Sequence, residues 1–348
     1  MGDELVELVE FLSHEKAAVR LQAVKIVNGV AASDDGPQQL AKIKDKLVPP
    51  LLRLLGGSDE EAETASSALV NLSTEPQHCE NMVRSGVIGR VMEQLKDPKF
   101  PCREGMAMLL SNVTLVESGS KKFLQVGEED LEGLYLAQTM GLIIGHGKTG
   151  DDWDDDQYQL RHLPAVLPHV CRFPEGRELL LHADSHFLQH LIPQLQSKVV
   201  ERRRSIATML KNICMDKKKG VPALLTEGGA TLLPAMLHPI SGKDPREADE
   251  AVRQAVAEAV QLLAGSEEGF DQLWTAGAPE LLRAGYVDEE GPGVCEAMES
   301  TAELFMTHNS DDLGEGGAKI EQLDDDGLTE EENRRLAELS EMTIKTTI

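Results

Sequence analysis

A short apolar phrase with an asparagine inside it recurs along this chain and limits the folds that the chain can adopt. The phrase surrounds Asn28, Asn71, Asn112 and Asn212. Asn28 and Asn71 are 43 residues apart, and Asn71 and Asn112 are 41 residues apart. A repeat of this length with helical apolar spacing is typical of stacked helical units, each of which packs only against its neighbours.

The predicted fold is all-α: an armadillo- or HEAT-like solenoid with a right-handed superhelical course over residues 1–307. Apolar residues recur at helical spacing, and strand-like alternation is absent. The pattern is interrupted at about residues 115–160, which predicts an insertion or an enlarged unit. The residues expected in the core include Leu69, Leu72, Leu109, Leu110, Leu210 and Ile213.

The composition changes after residue 307. Residues 308–348 contain 12 acidic and 4 basic residues. Residues 308–328 are polar and rich in glycine, which predicts an acidic flexible linker. Thr329 followed by Glu332 is a capping-box pattern, so residues 329–348 are predicted to form a short C-terminal helix or tail.

Charge and cysteine content exclude several classes of protein. The net charge is −26, from 60 acidic and 34 basic residues, so nucleic acid and anionic membranes are not expected as partners and a monomer is expected. The five cysteines include no Cys-x-x-Cys pair, which argues against a zinc site and a disulfide framework. Without a signal peptide or a long apolar run, we expect a cytoplasmic protein that needs no metal or cofactor, and a nuclear presence stays open.

One stretch resembles a nucleotide-binding loop. Residues 141–149 read Gly-Leu-Ile-Ile-Gly-His-Gly-Lys-Thr. A P-loop needs four residues between its first glycine and Gly-Lys, but here five follow Gly141 and only one follows Gly145. The five aspartates within residues 151–156 would also repel phosphate. We interpret the stretch as a surface loop, which leaves a nucleotide hydrolase as the least favoured alternative to a protein that is not an enzyme.

The repeated asparagine has two interpretations. Its amide can bond to a neighbouring unit and stabilise the stack, or it can line a groove and hold the extended backbone of a partner, because it offers both a donor and an acceptor. His169 lies 43 residues before Asn212 and takes the same place in its unit. The predicted partner-binding residues therefore include Asn28, Asn71, Asn112, His169 and Asn212.

A basic segment reverses the charge of the chain locally. Residues 198–219 contain eight lysines and arginines and two acidic residues. In a helix, several of these cations lie beside the polar stripe that contains Asn212. This pattern indicates a docking site for an acidic partner, and it adds Arg202, Arg203, Arg204 and Lys211 to the predicted partner-binding residues. The alternative is that arginines of this segment pair with neighbouring acidic residues and fix the packing of units.

Two motifs resemble the HGH family of armadillo-like proteins. Arg202-Arg203 followed by Leu-Lys-Asn-Ile-Cys at 210–214 is similar to that family's Arg-Arg … Leu-Arg-Asn-Cys-Cys-Phe signature. Residues 172–177, Arg-Phe-Pro-Glu-Gly-Arg, are similar to its Arg-x-Pro-x-Gly-Arg motif. The order of the units follows the family over most of residues 1–307. The chain departs from it at Arg204-Ser205, where the family tends to have Gly-Gly.

The resemblance implies a cytosolic folding adaptor for translation elongation factor 2 that works with the cytosolic chaperonin. Arg202, Arg203 and Lys211, beside Asn212, match the family's most specific motif and would then form part of the client-binding surface. The short stretch after Pro239 and the insertion at 115–160 are unusual for the family, so the identity of the client stays open. A second interpretation of the same fold is an exchange cofactor that clasps the ATPase lobe of an Hsp70 chaperone.

Overall fold

A computed structural model describes residues 2–145, 160–182 and 186–312, with side chains over 6–145, 160–182 and 186–307. All regular structure in these ranges is helical, as the sequence predicts. The chain divides into two compact units, Met1–Ala302 and Glu303–Ile348. In the second unit, the described residues are those up to Asp312. The predicted linker and C-terminal helix therefore lie almost entirely outside the described residues.

The α-helices are α1 (Gly2–Phe11), α2 (Ala17–Ala31), α3 (Gly36–Leu40), α4 (Lys44–Leu54), α5 (Asp59–Leu72), α6 (Pro76–Arg84), α7 (Val87–Lys96), α8 (Arg103–Thr114), α9 (Glu117–Leu124), α10 (Leu134–Gly145), α11 (Val166–Val170), α12 (Pro174–Leu180), α13 (Phe187–Leu191), α14 (Val200–Cys214), α15 (Gly220–Gly228), α16 (Leu232–Leu237), α17 (Glu250–Ala264), α18 (Glu267–Thr275), α19 (Ala278–Tyr286) and α20 (Pro292–Asp312). Short 3₁₀ segments cover Ala41–Ile43, Leu163–Ala165, Ile192–Gln196, Gly229–Thr231 and His238–Ile240.

From α3 onward the helices form units of three. A short first helix, such as α6 or α9, precedes a second helix and a third one. Sequence periodicity misses the first helices because even α6 and α15 have only 9 residues. An apolar stripe needs a longer window to be recognised.

The third helices stack on one another and form the core of residues 1–302. They are α2, α5, α8, α11, α14 and α17, and each packs against the next along the chain. The predicted core residues are fully buried, which confirms the helical register in the units that contain them. These residues are Leu69, Leu72, Leu109, Leu110, Leu210 and Ile213.

Glycines shape the turns within and between units. Gly86 and Gly277 have φ values of +81° and +73° and immediately precede α7 and α19, so each takes the left-handed conformation that ends the preceding helix. Gly176 has a different role. A Cβ atom there would lie 2.2 Å from the carbonyl oxygen of Val170, so only glycine lets α12 approach the end of α11 this closely.

The region of the predicted insertion contributes ordinary helices to the stack. Its described part contains α9 and α10, which take the first and second places of a unit. The 3₁₀ segment Leu163–Ala165 and α11 take the third place, and α11 packs on α8. Residues 146–159 lie outside the described residues.

Candidate functional site

The first three repeated asparagines link neighbouring third helices. The Asn71 side-chain amide donates to Asn28 Oδ1 at 3.3 Å, which joins α5 to α2. The Asn112 amide donates to the hydroxyl of Ser73 at 2.9 Å, which joins α8 to the end of α5. All three asparagines are half-buried. Their observed contacts therefore stabilise the stack, and their role in partner binding stays a prediction.

His169 and Asn212 continue this line of contacts. Thr114 Oγ1 lies 3.1 Å from His169 Nδ1, which joins α8 to α11. The Asn212 amide donates to the carbonyl oxygen of Pro168 at 2.8 Å, which joins α14 to α11. Burial and the neighbouring Arg172 cation lower the pKa of His169 to about 4, so its imidazole is uncharged at neutral pH.

Arg202 does not lie at the surface. Arg202 is only 2% exposed to solvent. Its Nη1 donates to the carbonyl oxygen of Ile143 at 3.2 Å and to Gln194 Oε1 at 3.4 Å, and burial lowers the pKa of its guanidinium. A side chain enclosed in this way cannot reach a partner. The burial of Arg202 therefore contradicts its predicted role in partner binding.

Arg203 fixes the packing of two units. Its Nη1 donates to the carbonyl oxygens of Ser197 and Lys198 at 2.8 and 3.4 Å. Its Nε and Nη2 donate to the two carboxylate oxygens of Glu247 at 2.6 and 2.9 Å. Because both charges are largely buried and the pair is bidentate, its loss would leave an unpaired charge inside the protein. This geometry supports the alternative in which Arg203 is structural.

The same arrangement recurs, and we call it the arginine joint. In each joint an arginine at the fourth position of a helix donates from Nη1 to the carbonyl oxygens five and six residues before it. One or both of its other side-chain nitrogens donate to a carboxylate about one repeat length later in the chain. The four joints are Arg20 with Glu61, Arg177 with Asp216, Arg203 with Glu247 and Arg253 with Glu289.

The joint at Glu289 is the most enclosed of the four. Glu289 accepts from Arg253 at 2.7 and 2.9 Å, from Arg246 at 3.2 Å and from the backbone N–H of Gly291 at 2.8 Å. Burial alone would raise the pKa of this carboxyl, but these donors outweigh burial and lower the pKa to about 2. The carboxylate is therefore charged throughout the physiological range.

Two of the predicted partner-binding residues, Arg204 and Lys211, form ion pairs with carboxylates in α17 or directly before it. Arg204 donates to both carboxylate oxygens of Asp249, and the Lys211 ammonium lies 2.5 Å from Glu258 Oε2. Arg204 keeps 53% of its side chain exposed, and Lys211 keeps 31%. Both cations therefore remain accessible from solvent while their carboxylate partners hold them in place.

A groove of about 400 Å³ brings four of the predicted residues together. It lies at the α11–α14 contact and is lined by Pro168, His169, Arg172, Arg204, Ser205, Thr208, Lys211 and Asn212. Of the other predicted residues, Asn28, Asn71, Asn112, Arg202 and Arg203 do not line it. The groove is the candidate functional site because it combines accessible cations with polar side chains on adjacent third helices.

The sequence motifs contained signals for two groove residues that were not predicted. Arg172 opens the Arg-Phe-Pro-Glu-Gly-Arg motif, and its guanidinium donates to the carbonyl oxygens of His169 and Leu115 at 3.1 and 2.7 Å. Thr208 lies four residues before Asn212 and so shares its helix face. Helical spacing from Asn212 could have identified Thr208, and the motif that begins at Arg172 could have identified that arginine.

The other candidates for chemistry in the described structure are cysteines, a glycine-rich stretch and possible metal ligands. Burial raises the pKa of Cys79 and Cys171 to about 12 and also raises that of Cys214, so these thiols are poor nucleophiles. Gly141 and Gly145 lie in α10 rather than in a loop, and residues 146–149 lie outside the described residues. Within the described ranges, no three His, Cys, Asp or Glu side chains are placed to hold a metal ion. The helices described here include none with the length and hydropathy to cross a bilayer.

Comparison with known proteins gives a family match and several relatives. A family model described as a domain of unknown function, DUF383, matches residues 94–268. A protein called Protein HGH1 homolog from Dictyostelium discoideum is 23% identical over 337 residues, which cover 89% of this chain and 92% of the relative. A protein with the same name from Xenopus tropicalis is 26% identical, and the alignment covers 86% of this chain and 87% of the relative. One from Homo sapiens is 25% identical, and the alignment covers 87% of this chain and 82% of the relative.

Engineered proteins of known structure have folds similar to that of this chain. One engineered protein aligns with a TM-score of 0.67 at 17% identity and covers 85% of this chain and 66% of its own. A designed armadillo repeat protein aligns with a TM-score of 0.58 at 17% identity and covers 74% of this chain and 98% of its own. These likenesses confirm the predicted helical-repeat fold.

Proposed function

Since the chain belongs to the HGH family of armadillo-like proteins, with residues 94–268 matching DUF383, we propose that it is a non-enzymatic scaffold that holds a client protein during folding. We also propose that it acts in the cytosol as a monomer. The family resemblance supports translation elongation factor 2 as the client and the cytosolic chaperonin as the partner that folds it.

The observation that carries this proposal is the groove between α11 and α14. Its lining joins the accessible cations Arg204 and Lys211 to the polar residues Thr208 and Asn212 on one helix. Adjacent third helices of a helical repeat provide a continuous surface for a partner. Such a surface can hold a polypeptide by charge and hydrogen bonds without any chemical step.

The groups of the groove that could act in hydrolysis are held in structural contacts. Its histidine, His169, has a pKa of about 4, which makes it a weak general base, and it is hydrogen-bonded to Thr114. The hydroxyls of Ser205 and Thr208 donate to backbone carbonyl oxygens of their own helix at 2.6 and 2.8 Å, rather than to a general base as an activated nucleophile would. These contacts favour binding over catalysis.

The proposal is tested by affinity purification of the tagged full-length chain followed by mass spectrometry. We expect to recover elongation factor 2 together with chaperonin subunits. Recovery of an Hsp70 chaperone without elongation factor 2 would support the exchange-cofactor alternative instead. ATP turnover by the purified chain would contradict the absence of enzymatic activity.

A variant can connect the client to the groove. Arg204→Glu combined with Lys211→Glu should reduce client recovery, because both changes reverse charges that line the site. Arg90→Glu is the matched control, since Arg90 lies on α7 and pairs with Glu93 in the same helix. Equal client recovery by the two folded variants would show that the client binds elsewhere.

A further inference from the structure

We infer that the groove between α11 and α14 binds an extended, acidic segment of the client, and this inference rests on the proposed function. The ligand would be a stretch of polypeptide with several carboxylates and flanking apolar side chains. Three features support it: the balance of charge in the groove, the hydroxyls that line it, and the exposed apolar residues that follow the third helices α8 and α14.

The charge balance of the groove is positive although the chain has a net charge of −26. Arg172, Arg204 and Lys211 contribute three cations to its lining. The carboxylates that pair with these cations are Asp249 and Glu258, which offset two of the three charges. The third, Arg172, has only carbonyl oxygens and the ring of the neighbouring phenylalanine as partners within the described residues.

The protonation state of His169 makes this balance independent of pH near neutrality. Burial holds its pKa near 4, so the imidazole adds no charge to the groove. The attraction for a carboxylate therefore comes from the guanidinium and ammonium groups alone.

Hydroxyls in the groove can accept hydrogen bonds from an extended backbone. Ser205 Oγ donates to the carbonyl oxygen of Glu201, and Thr208 Oγ1 donates to that of Arg204. A hydroxyl that has used its one donor still has lone pairs that accept. Both oxygens can thus receive peptide N–H groups, while the surrounding cations receive the carboxylates.

Apolar residues lie at the ends of the third helices on either side of Arg172. Leu115 follows α8 and is 50% exposed, and its carbonyl oxygen accepts from Arg172 Nη2. Met215 follows α14 and is 65% exposed. Arg177 connects these ends, because it donates to the carbonyl oxygen of Arg172 and to the carboxylate of Asp216. An acidic segment with apolar side chains at its ends would cover both residues.

The test uses a fluorescein-labelled peptide of glutamate and glycine with leucine at both ends, and a matched peptide with glutamine in place of glutamate. Binding is measured by fluorescence anisotropy at low and high salt. We expect the full-length chain to bind the glutamate peptide, to bind it more weakly in high salt, and to bind the glutamine peptide less well.

Two nearly isosteric variants isolate the effect of charge in the groove. Thr208→Glu and Thr208→Gln remove the same hydroxyl and differ only by one negative charge. We expect Thr208→Glu to bind the glutamate peptide about fivefold more weakly than Thr208→Gln, as one charge contact at a partly exposed site would produce. Circular dichroism melting of both variants establishes that they are equally folded.

Equal affinity of the two variants for the glutamate peptide would overturn the inference, as would equal binding of the two peptides. Recovery of elongation factor 2 by the same two variants separates this result from the proposed function. If both variants capture the client equally and neither distinguishes the peptides, the scaffold function stands and the acidic segment is wrong. If the peptide result holds but the wild-type chain captures no client, the groove assignment stands and the client function fails.

Discussion

Third helices lie side by side in two contacts that differ in chemistry. One is the contact between α5 and α8, and the other is the contact between α14 and α17. In the first, the neutral amide of Asn112 bonds to the hydroxyl of Ser73. In the second, Arg203, Arg204 and Lys211 each pair with a carboxylate of the next unit. The helical repeat fixes the backbone geometry, and the side chains that join the units are free to differ.

This difference determines where a charged binding surface can form. A hydrogen bond between two neutral side chains, such as Asn112 and Ser73, places no charge at the surface. A series of ion pairs places many charges on one face, and an exposed cation such as Arg204 can still attract a partner. The predictions below test this contrast, from the largest expected effect to the smallest.

Glu289→Gln should have the largest effect on stability. The change leaves Arg253 and Arg246 without a carboxylate in an enclosed site, which costs about 3–5 kcal/mol of unfolding free energy. Urea unfolding monitored by circular dichroism measures this cost. The wild-type carboxylate stabilises the fold above its unfolded pKa of about 4.5, and this contribution is lost as pH falls through about 2. A cost below about 1 kcal/mol would mean that the arginine joints contribute no more than surface pairs do.

Leu210→Ala and Leu69→Ala should both destabilise the fold strongly and to a similar extent. Each leucine is fully buried in a third helix, and losing it should cost about 2–5 kcal/mol. Leu210 lies in α14 and Leu69 lies in α5. The comparison therefore tests whether the core contributes equally to stability at the α14–α17 contact and at the α5–α8 contact. If one variant proved nearly as stable as wild type, its unit would be shown to contribute little to the shared core.

Acidification should destabilise the chain in part through His169. The folded pKa of about 4 lies below the unfolded value of about 6.5, so the unfolded chain binds a proton first as pH falls. Stability should fall by up to about 3 kcal/mol between those pH values. His169→Asn places the repeated asparagine at this position and should flatten that part of the pH profile. An unchanged profile in the variant would assign the acid sensitivity to other groups.

The smallest effects should separate the two kinds of contact by their response to salt. Asn112→Ala removes a neutral hydrogen bond and should cost about 1 kcal/mol at any salt concentration. Arg204→Gln removes an exposed ion pair and should cost less than about 1 kcal/mol, with the difference shrinking in high salt. Thermal melts at low and high salt provide the measurement. A salt-dependent cost for Asn112→Ala would refute the contrast drawn between the two contacts.

The sequence predicted the long elements better than the short ones. The spacing of Asn28, Asn71 and Asn112 predicted the third helices, and Leu210 was correctly assigned to the core. The first helices, including Pro76–Arg84, escaped prediction because two and a half turns display too little periodicity. Their positions depend on close packing against the preceding third helix, which a single sequence does not display.

The basic segment shows why the candidate site was only partly predictable. Four consecutive positions, from Glu201 to Arg204, are charged, yet one arginine is buried, one forms a joint and one lines the groove. Helical spacing shows that these arginines point in different directions. Which direction is buried depends on the neighbouring helices, which the sequence of one segment does not reveal. The partner of Arg203 lies 44 residues away at Glu247. An arginine at the fourth position of a helix, followed by a carboxylate at about one repeat length, is the signal that could have identified it.

The arginine joints give the stack a direction. In every joint the arginine comes first in the chain and the carboxylate follows about one repeat length later. Arg203 and Arg253 occupy the same helical position, and Glu247 and Glu289 lie shortly before α17 and α20. Deleting residues 204–253 would therefore bring Arg203 before Glu289 and form that joint again, while the loss of Asp216 would leave Arg177 without its carboxylate. The loss of one unit thus preserves a joint between third helices and breaks a joint that begins on a first helix.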